Sequence, residues 1–458
     1  MRYFDIDIIR KYDKPGPRYT SYPPAPHFTE RFTREDYIQE IRRTNAGSHL
    51  PHLSLYFHIP FCDTLCYFCG CNALITKDHR RIRQYTDYMK WEVMLIRRLI
   101  RQERQVDQLH WGGGTPTHLT PDEIAGLSTF INDAFHFTGD AEKGCEIDPR
   151  GLTREHLEAL KRGGFNRISM GVQDFNEKIM QPLNRFQPEE LTRIVCGWVR
   201  ELKFQSLNLD LMYGLPHQSA EEFSETLDTI ISINPDRIAV FNFAYVPWLK
   251  KHQKLINPET LPSPEEKLEI LKITVEKLTG AGYAFIGMDH FAKPGDELAI
   301  ALRQKKLYRN FQGYSTRAGA DLYAFGITGI SQLPLMYAQN YRTEREYYTA
   351  LDNGLLPVSR GYALTRDDNI RRRVILNIMC HFMVSFLEIE KEFSIDFKNY
   401  FKNGLKQLQQ FAEDGLVIID DESITVTEMG RYLIRNIAMN FDGFIERKQD
   451  AGKYSRTV

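Results

Sequence analysis

The chain contains 458 residues, 42% of them hydrophobic, which is enough for about three domains with sizeable cores. Its 59 basic and 60 acidic residues leave a net charge of −1, so no overall charge favours nucleic acid or an anionic membrane as a partner. No apolar run approaches the ~18 residues that span a bilayer, and MRYFDIDIIRKYDKPG has no apolar core of a secretory signal. Seven cysteines are too few for a disulfide scaffold. We therefore expect a cytoplasmic enzyme without a nucleic-acid or membrane partner.

The N-terminal region is rich in proline and tyrosine. Its stretch KYDKPGPRYTSYPPAPHF shows little helical or strand periodicity, and proline both fixes the backbone and removes a hydrogen-bond donor. This composition predicts an extended, irregular arm within residues 1–50. Such an arm has little reason to be ordered unless it covers another part of the protein.

From about residue 53, short apolar runs alternate with amphipathic stretches. The predicted strands are residues 53–59, 108–114, 144–148, 167–172, 206–214 and 237–245. Helical periodicity lies between them at 83–101, 121–135 and 220–233. This alternation predicts an α/β fold with a parallel sheet over residues 51–285. Periodicity alone fits a partial α/β barrel and an open doubly wound sheet equally well.

After about residue 260 the pattern becomes mostly helical. We expect residues 286–359 to connect two domains and to contribute to the site, and residues 360–458 to form a C-terminal domain. In that domain a helix ends at Gly415, two short strands flank the polar turn DDES, and a helix EMGRYLIRNIAMNF follows. The order helix, two-stranded wing, helix predicts a mainly helical, winged-helix-like domain.

Four of the cysteines lie close together in HIPFCDTLCYFCGC, directly after the first strand. Cys62, Cys66 and Cys69 have C-x3-C-x2-C spacing, and Cys71 follows two residues later. Three such thiolates can each bind a different iron of one [4Fe-4S] cube and leave the fourth iron open. A structural zinc site prefers two C-x2-C pairs, whereas only Cys66 and Cys69 form one. The carboxyl end of a strand is where α/β folds collect active-site groups.

Further candidate positions follow the later strands. The segment GGGT (112–115) comes after the second strand, and glycines let a ligand approach the backbone closely. It lacks the lysine of a P-loop, and a simple strand-end turn is the alternative. Glu146 ends the third strand, while Gln173, Arg185 and Asp210 lie at or beyond the ends of later strands. Each alone could be an ordinary solvated residue, but their recurrence on one rim of the sheet predicts a site.

The cysteine loop resembles the motif of the radical S-adenosylmethionine (SAM) superfamily, with the aromatic Phe68 directly before the third cysteine. The longer pattern around it resembles the oxygen-independent coproporphyrinogen III oxidase family. The shared motifs extend over nearly the whole chain: RYTSYP (18–23), HWGGGTPT (110–117), EIDPR (146–150), MGVQDF (170–175), YGLP (213–216), GMDHFA (287–292), FQGY (311–314) and LTRDD (364–368). The resemblance implies a partial (β/α)6 radical SAM barrel between the arm and the C-terminal domain.

The resemblance also implies cofactors and their contacts. Cys62, Cys66 and Cys69 would hold a [4Fe-4S] cluster whose open iron is chelated by SAM, with Cys71 a nearby non-ligand or structural thiol. Two SAM molecules would bind side by side. Their contacts would be Tyr56, Gly113, Glu146 and Ile330 for the first, and Phe68, Gly114, Thr115, Gln173, Arg185, Asp210 and Ala244 for the second. The surroundings of Ile330, GITGIS, depart from the family pattern.

The reaction that the resemblance implies is oxidative decarboxylation of coproporphyrinogen III to protoporphyrinogen IX in haem biosynthesis. A 5′-deoxyadenosyl radical would take hydrogen from the β-carbon of a propionate, CO₂ would leave, and one electron would pass to an acceptor that the sequence does not identify. We assign Arg18 and Tyr22 of the arm, together with Cys71, as candidate catalytic residues. A flavodoxin- or ferredoxin-like protein would donate electrons, and we expect a monomer.

Two alternatives from the same superfamily stay open on the sequence: a haem-binding chaperone and a radical methyltransferase that acts on haem. The chaperones typically lack the fourth cysteine and the RYTSYP arm, and both are present here. The arm also counts against the methyltransferase. A DNA-binding role for the winged helix gains no support from the near-neutral charge.

Overall fold

The structure, a computed structural model, describes residues 5–48, 50–445 and 454. The rest of the predicted arm and of the predicted C-terminal domain lies outside the described residues. Within the described part of the chain, no helix combines the length and the apolar character needed to cross a membrane.

The strands are mostly short. In chain order they are β1 Leu53–Ile59, β2 Phe61–Cys62, β3 Leu74–Ile75, β4 Gln105–Gly113, β5 His136–Ile147, β6 Arg167–Gln173, β7 Ser206–Tyr213, β8 Arg237–Asn242, β9 Ala284–Gly287, β10 His290–Ala292, β11 Tyr308–Asn310, β12 Gly313–Ser315, β13 Asp321–Phe325, β14 Ile330–Leu333, β15 Met336–Asn340, β16 Val358–Ala363, β17 Met383–Ser385, β18 Val417–Ile419 and β19 Ser423–Val426.

The α-helices range from single turns to five turns. In chain order they are α1 Ile6–Tyr12, α2 Arg34–Thr44, α3 His79–Arg97, α4 Pro121–Ala134, α5 Arg154–Arg162, α6 Glu177–Met180, α7 Glu189–Glu201, α8 Ala220–Ile233, α9 Pro264–Gly280, α10 Glu297–Arg303, α11 Glu344–Asp352, α12 Arg366–His381, α13 Phe386–Phe393, α14 Phe397–Tyr400, α15 Lys402–Glu413 and α16 Ile434–Ala438.

A twelve-stranded sheet dominates the molecule, with the order β16-β15-β14-β13-β1-β4-β5-β6-β7-β8-β10-β9. Its strands β1, β4, β5, β6, β7 and β8 are parallel neighbours in chain order, and helices cross over between them. Within the described residues the sheet stays open and does not close into a ring. The predicted partial (β/α)6 barrel is confirmed.

Local sequence signals explain the parallel core. β1 is buried almost continuously, as expected for a parallel strand covered on both faces. The N-cap of α8 is Ser219, whose side chain and that of Glu222 form a capping box. Its C-cap is Asn234, which adopts a left-handed φ of 59°, and Pro235 follows. Such caps fix where a crossover helix begins and ends, and the parallel pairing of the strands places their carboxyl ends at one edge of the sheet.

The prediction that the chain is mostly helical after residue 260 is wrong for residues 284–363. After α9 the chain forms eight short strands, β9 to β16, interrupted by only two helices before residue 363. β10 pairs antiparallel with β8 at one edge of the sheet, while β13 pairs parallel with β1 at the other and leads into β14, β15 and β16. Strands of three to six residues carry too few positions for periodicity, and pairing with the sheet edges determines them.

The N-terminal arm contains two helices that flank its irregular stretch. Tyr12, at the end of α1, lies in the core of the C-terminal domain, and its carbonyl accepts a hydrogen bond from Asn436 at 2.6 Å. The hydroxyl of Tyr19 donates to Asp442 at 2.9 Å. α2 packs against β14 and β15. The arm therefore ties the C-terminal domain to the sheet.

The C-terminal domain has the predicted winged-helix-like character. β17, β19 and β18 form an antiparallel sheet beside α12 to α15. The sequence missed β17, which adds a third strand to the wing. The helix predicted over EMGRYLIRNIAMNF is wrong in extent: α16 is a short helix between two 3-10 segments, Gly430–Leu433 and Met439–Phe441.

Candidate active site

A cavity of about 420 Å³ opens at the carboxyl ends of the parallel strands. It brings together residues that are separated by as many as 252 positions in the sequence, from Cys62 to Tyr314. The predicted site residues that line it are Cys62, Cys66, Phe68, Cys69, Cys71, Gly113, Gly114, Thr115, Glu146, Gln173, Arg185 and Asp210. Five other predicted residues, Arg18, Tyr22, Tyr56, Ala244 and Ile330, lie outside this lining.

The four thiols of the cysteine loop differ in exposure, with Cys66 buried and Cys71 exposed. Hydrogen-bond donors surround their sulfurs. The backbone N–H of Cys71 donates to Cys69 Sγ at 3.4 Å, and Cys62 Sγ lies 3.5 Å from Thr115 Oγ1. Arg150 Nη2 donates to Cys66 Sγ at 3.5 Å. Donors arranged in this way stabilise negative charge on sulfur.

The loop thiols have unlike acidities. Burial raises the pKa of Cys62 to about 11, so this thiol holds its proton at neutral pH. The hydrogen bond with the Cys71 thiol, against the opposing effect of burial, lowers the pKa of Cys69 to about 6. A metal displaces the proton from a thiol that it binds, so a neutral Cys62 remains a competent ligand.

The glycine-rich segment is held against the start of the cysteine loop. The N–H of Gly114 donates to Ile59 O and that of Thr115 to Phe61 O, each at 2.8 Å. A Cβ on Gly114 would lie 2.5 Å from Pro60 O, and Gly113 has a φ of +123°, which L side chains rarely adopt. Glycine is required here by a close approach of two backbones and by conformation.

Glu146 faces the cavity from the end of β5. Its carboxylate accepts a hydrogen bond from the N–H of Gly113 at 3.2 Å and lies 3.1 Å from His110 Nε2. Burial opposes ionisation, but the hydrogen bond and charge of His110, with the Gly113 N–H, hold the pKa of Glu146 below its usual value. The ring of Tyr56 stacks on that of His110, with the two ring centres 6.0 Å apart. The site therefore presents an ionised carboxylate at neutral pH.

An ion-pair network of one aspartate and two arginines lies beside Cys66. Asp148 binds Arg150 at 2.7 Å and Arg185 at 2.9 Å. Arg185 also donates to Gly171 O, and its Nη1 lies 3.9 Å from Cys66 Sγ. Burial disfavours the charge on Asp148, but Arg185 and then Arg150 outweigh it and lower its pKa. Two guanidinium groups are thus fixed at the cavity wall beside a cysteine.

Asp210 on β7 is the least stabilised carboxylate of the cavity. Burial and the negative charge of Glu146 raise its pKa to about 6, although Asn208 and Ser169 donate hydrogen bonds to it at 2.7 and 3.0 Å. Gln173 ends β6 with a positive φ of 70° and also faces the cavity. A cationic ligand would relieve the repulsion between the two carboxylates.

The predicted residues outside the lining occupy different places. Arg18 pairs with Asp289, and its guanidinium lies 5.8 Å from the ring of Phe241, which does line the cavity. Tyr22 is buried, and its hydroxyl accepts a hydrogen bond from the N–H of Gly443 at 2.9 Å. It lines a separate small cavity together with Tyr308 and Tyr337.

Ala244 and Ile330 are the other two residues that the cavity lining does not include. Ala244 follows the end of β8 and is exposed, and its carbonyl accepts a hydrogen bond from Gln253 at 3.2 Å. Ile330 begins β14 and packs against a small cluster that contains Phe28 and Tyr337.

Sequence reasoning missed several residues of the site. His110 stands two positions before the glycines, and its place on β4 could have suggested a partner for Glu146. Asp148 accepts a hydrogen bond from the N–H of Arg150, and its carboxylate also pairs with two arginines. His290 also lines the cavity, and burial lowers its pKa to about 3.

Comparisons with known proteins agree with this geometry. Residues 56–230 match the family described as "Radical SAM superfamily", and residues 364–433 match the family described as "HemN C-terminal domain". The parallel sheet and cysteine loop thus define a radical SAM protein.

Relatives extend the match to the whole chain. The oxygen-independent coproporphyrinogen III oxidase of Synechocystis sp. is 46% identical, covering 99% of this chain and 98% of the relative, and that of Escherichia coli is 45% identical with the same coverage. A solved structure described as "Coproporphyrinogen III oxidase (HemN) from Escherichia coli is a Radical SAM enzyme" superposes with a TM-score of 0.92 at 44% identity, covering 96% of this chain and 99% of that one. The chain belongs to the oxygen-independent coproporphyrinogen III oxidase family.

The superfamily implies a [4Fe-4S] cluster and SAM, and the residues present fit both. Three cysteines of one loop line a single cavity, N–H groups donate to the sulfurs of Cys66 and Cys69, and the hydroxyl of Thr115 lies within hydrogen-bond distance of Cys62. In the described part of the chain, no three Cys, His, Asp or Glu side chains converge on a single metal ion. A cube does not require such convergence, because each thiolate binds a different iron.

Proposed function

We propose that this chain catalyses the oxygen-independent oxidative decarboxylation of coproporphyrinogen III to protoporphyrinogen IX, a step of haem biosynthesis. Two observations together support the proposal. Relatives named for this activity align over 99% of the chain, and the cysteine loop and the polar residues at the strand ends line one cavity. The haem chaperone and the haem methyltransferase have no comparable support.

Cys62, Cys66 and Cys69 are the proposed cluster ligands, and Cys71 stays beside them as a hydrogen-bond partner of Cys69. When bound, the cluster and SAM would supply the radical chemistry that oxidises the propionate at its β-carbon. Arg150 and Arg185 stabilise the negative charge of the cysteine thiolates, because their guanidinium groups contact Cys66.

Two SAM molecules are proposed to bind in the cavity. In the first site Glu146 accepts the ammonium group of SAM, and Gly113 offers backbone contact. Tyr56 holds His110 against Glu146 from behind the wall. In the second site Asp210 faces the sulfonium or ammonium charge. The lining contacts of this second site are Phe68, Gly114, Thr115, Gln173 and Arg185. Ile330 and Ala244 are assigned by resemblance alone.

The substrate is proposed to occupy the end of the cavity that is walled by Phe241, Tyr314 and His290. Aromatic walls suit a macrocycle, and Arg18 lies directly over Phe241 with a cationic group for a propionate. Tyr22 acts at a distance by holding the arm against the C-terminal domain.

The cellular setting is also part of the proposal. The chain acts as a cytoplasmic monomer, receives electrons from a flavodoxin- or ferredoxin-like protein, and delivers the final electron to a separate acceptor. Its net charge of −1 gives no reason to add nucleic acid as a partner.

An anaerobic turnover assay tests the activity. The chain is reconstituted with iron and sulfide and mixed with SAM, a reductant and coproporphyrinogen III. We expect protoporphyrinogen IX, CO₂ and 5′-deoxyadenosine to form together, and none of them with Cys62→Ser. Stoichiometric haem binding without turnover, or methyl transfer to haem, would contradict the proposal.

A further inference from the structure

The segment of residues 245–256, shortly after β8, carries an unusual group of exposed apolar side chains. Trp248, Leu249 and Leu255 are 65%, 63% and 65% exposed, the highest values among the exposed large hydrophobic residues in the part of the chain that the structure describes. They lie within eight consecutive positions. A monomer seldom leaves large apolar side chains grouped in water unless a partner covers them.

The same segment is strongly basic. Lys250, Lys251, His252 and Lys254 occur in it, and no Asp or Glu lies between positions 244 and 258. Lys251 and Lys254 are exposed. Their local positive charge contrasts with the net charge of −1 on the whole chain, so it marks a small surface that attracts an acidic partner.

The segment rests directly on the cysteine loop. Lys250 Nζ donates to Cys71 O at 2.7 Å, and His252 Nε2 lies 2.8 Å from Cys69 O. The buried side chain of Gln253 donates to Phe68 O at 3.2 Å. These three side-chain contacts with carbonyl oxygens therefore hold the segment against the backbone that carries the proposed cluster ligands.

The segment contacts the cysteine loop but does not line the cavity. Residues 245–256, all of which the structure describes, contribute no lining, whereas Phe68, Cys69 and Cys71 do. Ile256 belongs to the same buried apolar cluster as Cys66 and Phe68. A protein bound to the segment would therefore lie next to the loop that carries the proposed cluster ligands.

We infer that residues 245–256 form the docking surface for an acidic, low-potential one-electron carrier protein. The inference deepens the proposed function and rests on it. The carrier loses one electron, the cluster gains it, and no bond forms or breaks in that step. Because electron tunnelling weakens steeply with distance, a carrier gains from binding on the loop itself. Trp248 serves as the apolar anchor, and Lys251 and Lys254 guide the acidic surface.

The test compares a docking reductant with one that does not need to dock. The variants are Lys251→Glu with Lys254→Glu, and separately Trp248→Ser. A matched control is Lys402→Glu with Lys406→Glu, two exposed lysines of α15 in the C-terminal domain. Each protein is reconstituted, and 5′-deoxyadenosine formation is measured with a purified, photoreduced flavodoxin of net negative charge or with sodium dithionite.

We expect both docking variants to raise the KM for reduced flavodoxin at least about tenfold, as loss of steering or of an anchor side chain predicts. Their rates with dithionite should match the parent, and the control pair should match it with both reductants. High salt should weaken the flavodoxin reaction of the parent more than that of the charge-reversed pair.

Several outcomes would overturn the inference. Unchanged flavodoxin kinetics in both variants would show that the carrier does not dock on this segment. A dimer of the parent that Trp248→Ser dissociates would also contradict the inference, because a second copy of the chain would then cover the segment. An equal loss with dithionite would show that the segment only supports the cysteine loop. Failure of the parent itself to cleave SAM with dithionite would instead contradict the proposed function.

Discussion

Asp210 offers a quantitative test of the cavity electrostatics. Burial and the charge of Glu146 raise its pKa from the usual 3.8 to about 6. That difference corresponds to about 3 kcal/mol, by which the folded cluster-free chain disfavours the ionised carboxylate at neutral pH. Since the folded state binds the proton more tightly than the unfolded state, the stability of the parent falls as pH rises from about 4 to about 6.

Asp210→Asn removes this titration while keeping a side chain that accepts the hydrogen bond from Asn208. We expect the free energy of unfolding of the variant, relative to the parent, to improve by about 2 kcal/mol between about pH 4.5 and about pH 8. Urea unfolding of the cluster-free proteins measures it, with Asp122→Asn on the exposed first turn of α4 as the control for loss of one charge. Parallel stability curves for Asp210→Asn and the parent would refute the raised pKa.

Three further substitutions test other contacts. Glu146→Gln should weaken SAM binding about 10- to 100-fold, since a charge-assisted hydrogen bond is lost. Calorimetry on the reconstituted protein measures the Kd for SAM. An unchanged Kd would contradict the assignment of Glu146. Gly114→Ala should lower the free energy of unfolding in urea by about 1–3 kcal/mol, because the added Cβ would lie 2.5 Å from a backbone oxygen. The control Gly126→Ala, at a position open to solvent in α4, should not destabilise the protein. Asp321→Ala should lower the free energy of unfolding by about 3–5 kcal/mol, because it leaves the buried Arg104 without its carboxylate partner. The double variant Asp321→Ala with Arg104→Met should lose less stability. Equal losses in the two variants would exclude a strong ion pair.

The parallel half of the fold was predictable because its signals are local. The strand predicted at residues 53–59 and the helix predicted at 220–233 agree with β1 and α8, since continuous burial and strong caps are visible in the sequence itself. β5 begins at His136, eight residues before its predicted start, because its first half is polar and partly exposed. Pairing with β4 holds that half in the sheet, and no periodicity reveals such pairing.

Much of the site was predictable for a similar reason. The cysteine loop and Glu146 stand at strand ends, and parallel strands place their ends at one edge. The partners of these residues were not predictable. His110 meets Glu146 across 36 positions, and Arg150 reaches Cys66 across 84, so only the folded chain brings them together. Tyr22 was assigned as a candidate catalytic residue, but its hydroxyl contacts the C-terminal domain.

The central claim is that three thiolates hold a cube with one iron left for SAM. Iron, sulfide and zinc analysis of the anaerobically reconstituted chain, joined to electron paramagnetic resonance of its reduced form with and without SAM, tests it most directly. The account predicts about four irons in the parent and in Cys71→Ser, a spectrum that changes on addition of SAM, and loss of the cluster in Cys62→Ser, Cys66→Ser and Cys69→Ser. Bound zinc, or a cluster that needs Cys71 and ignores SAM, would contradict it.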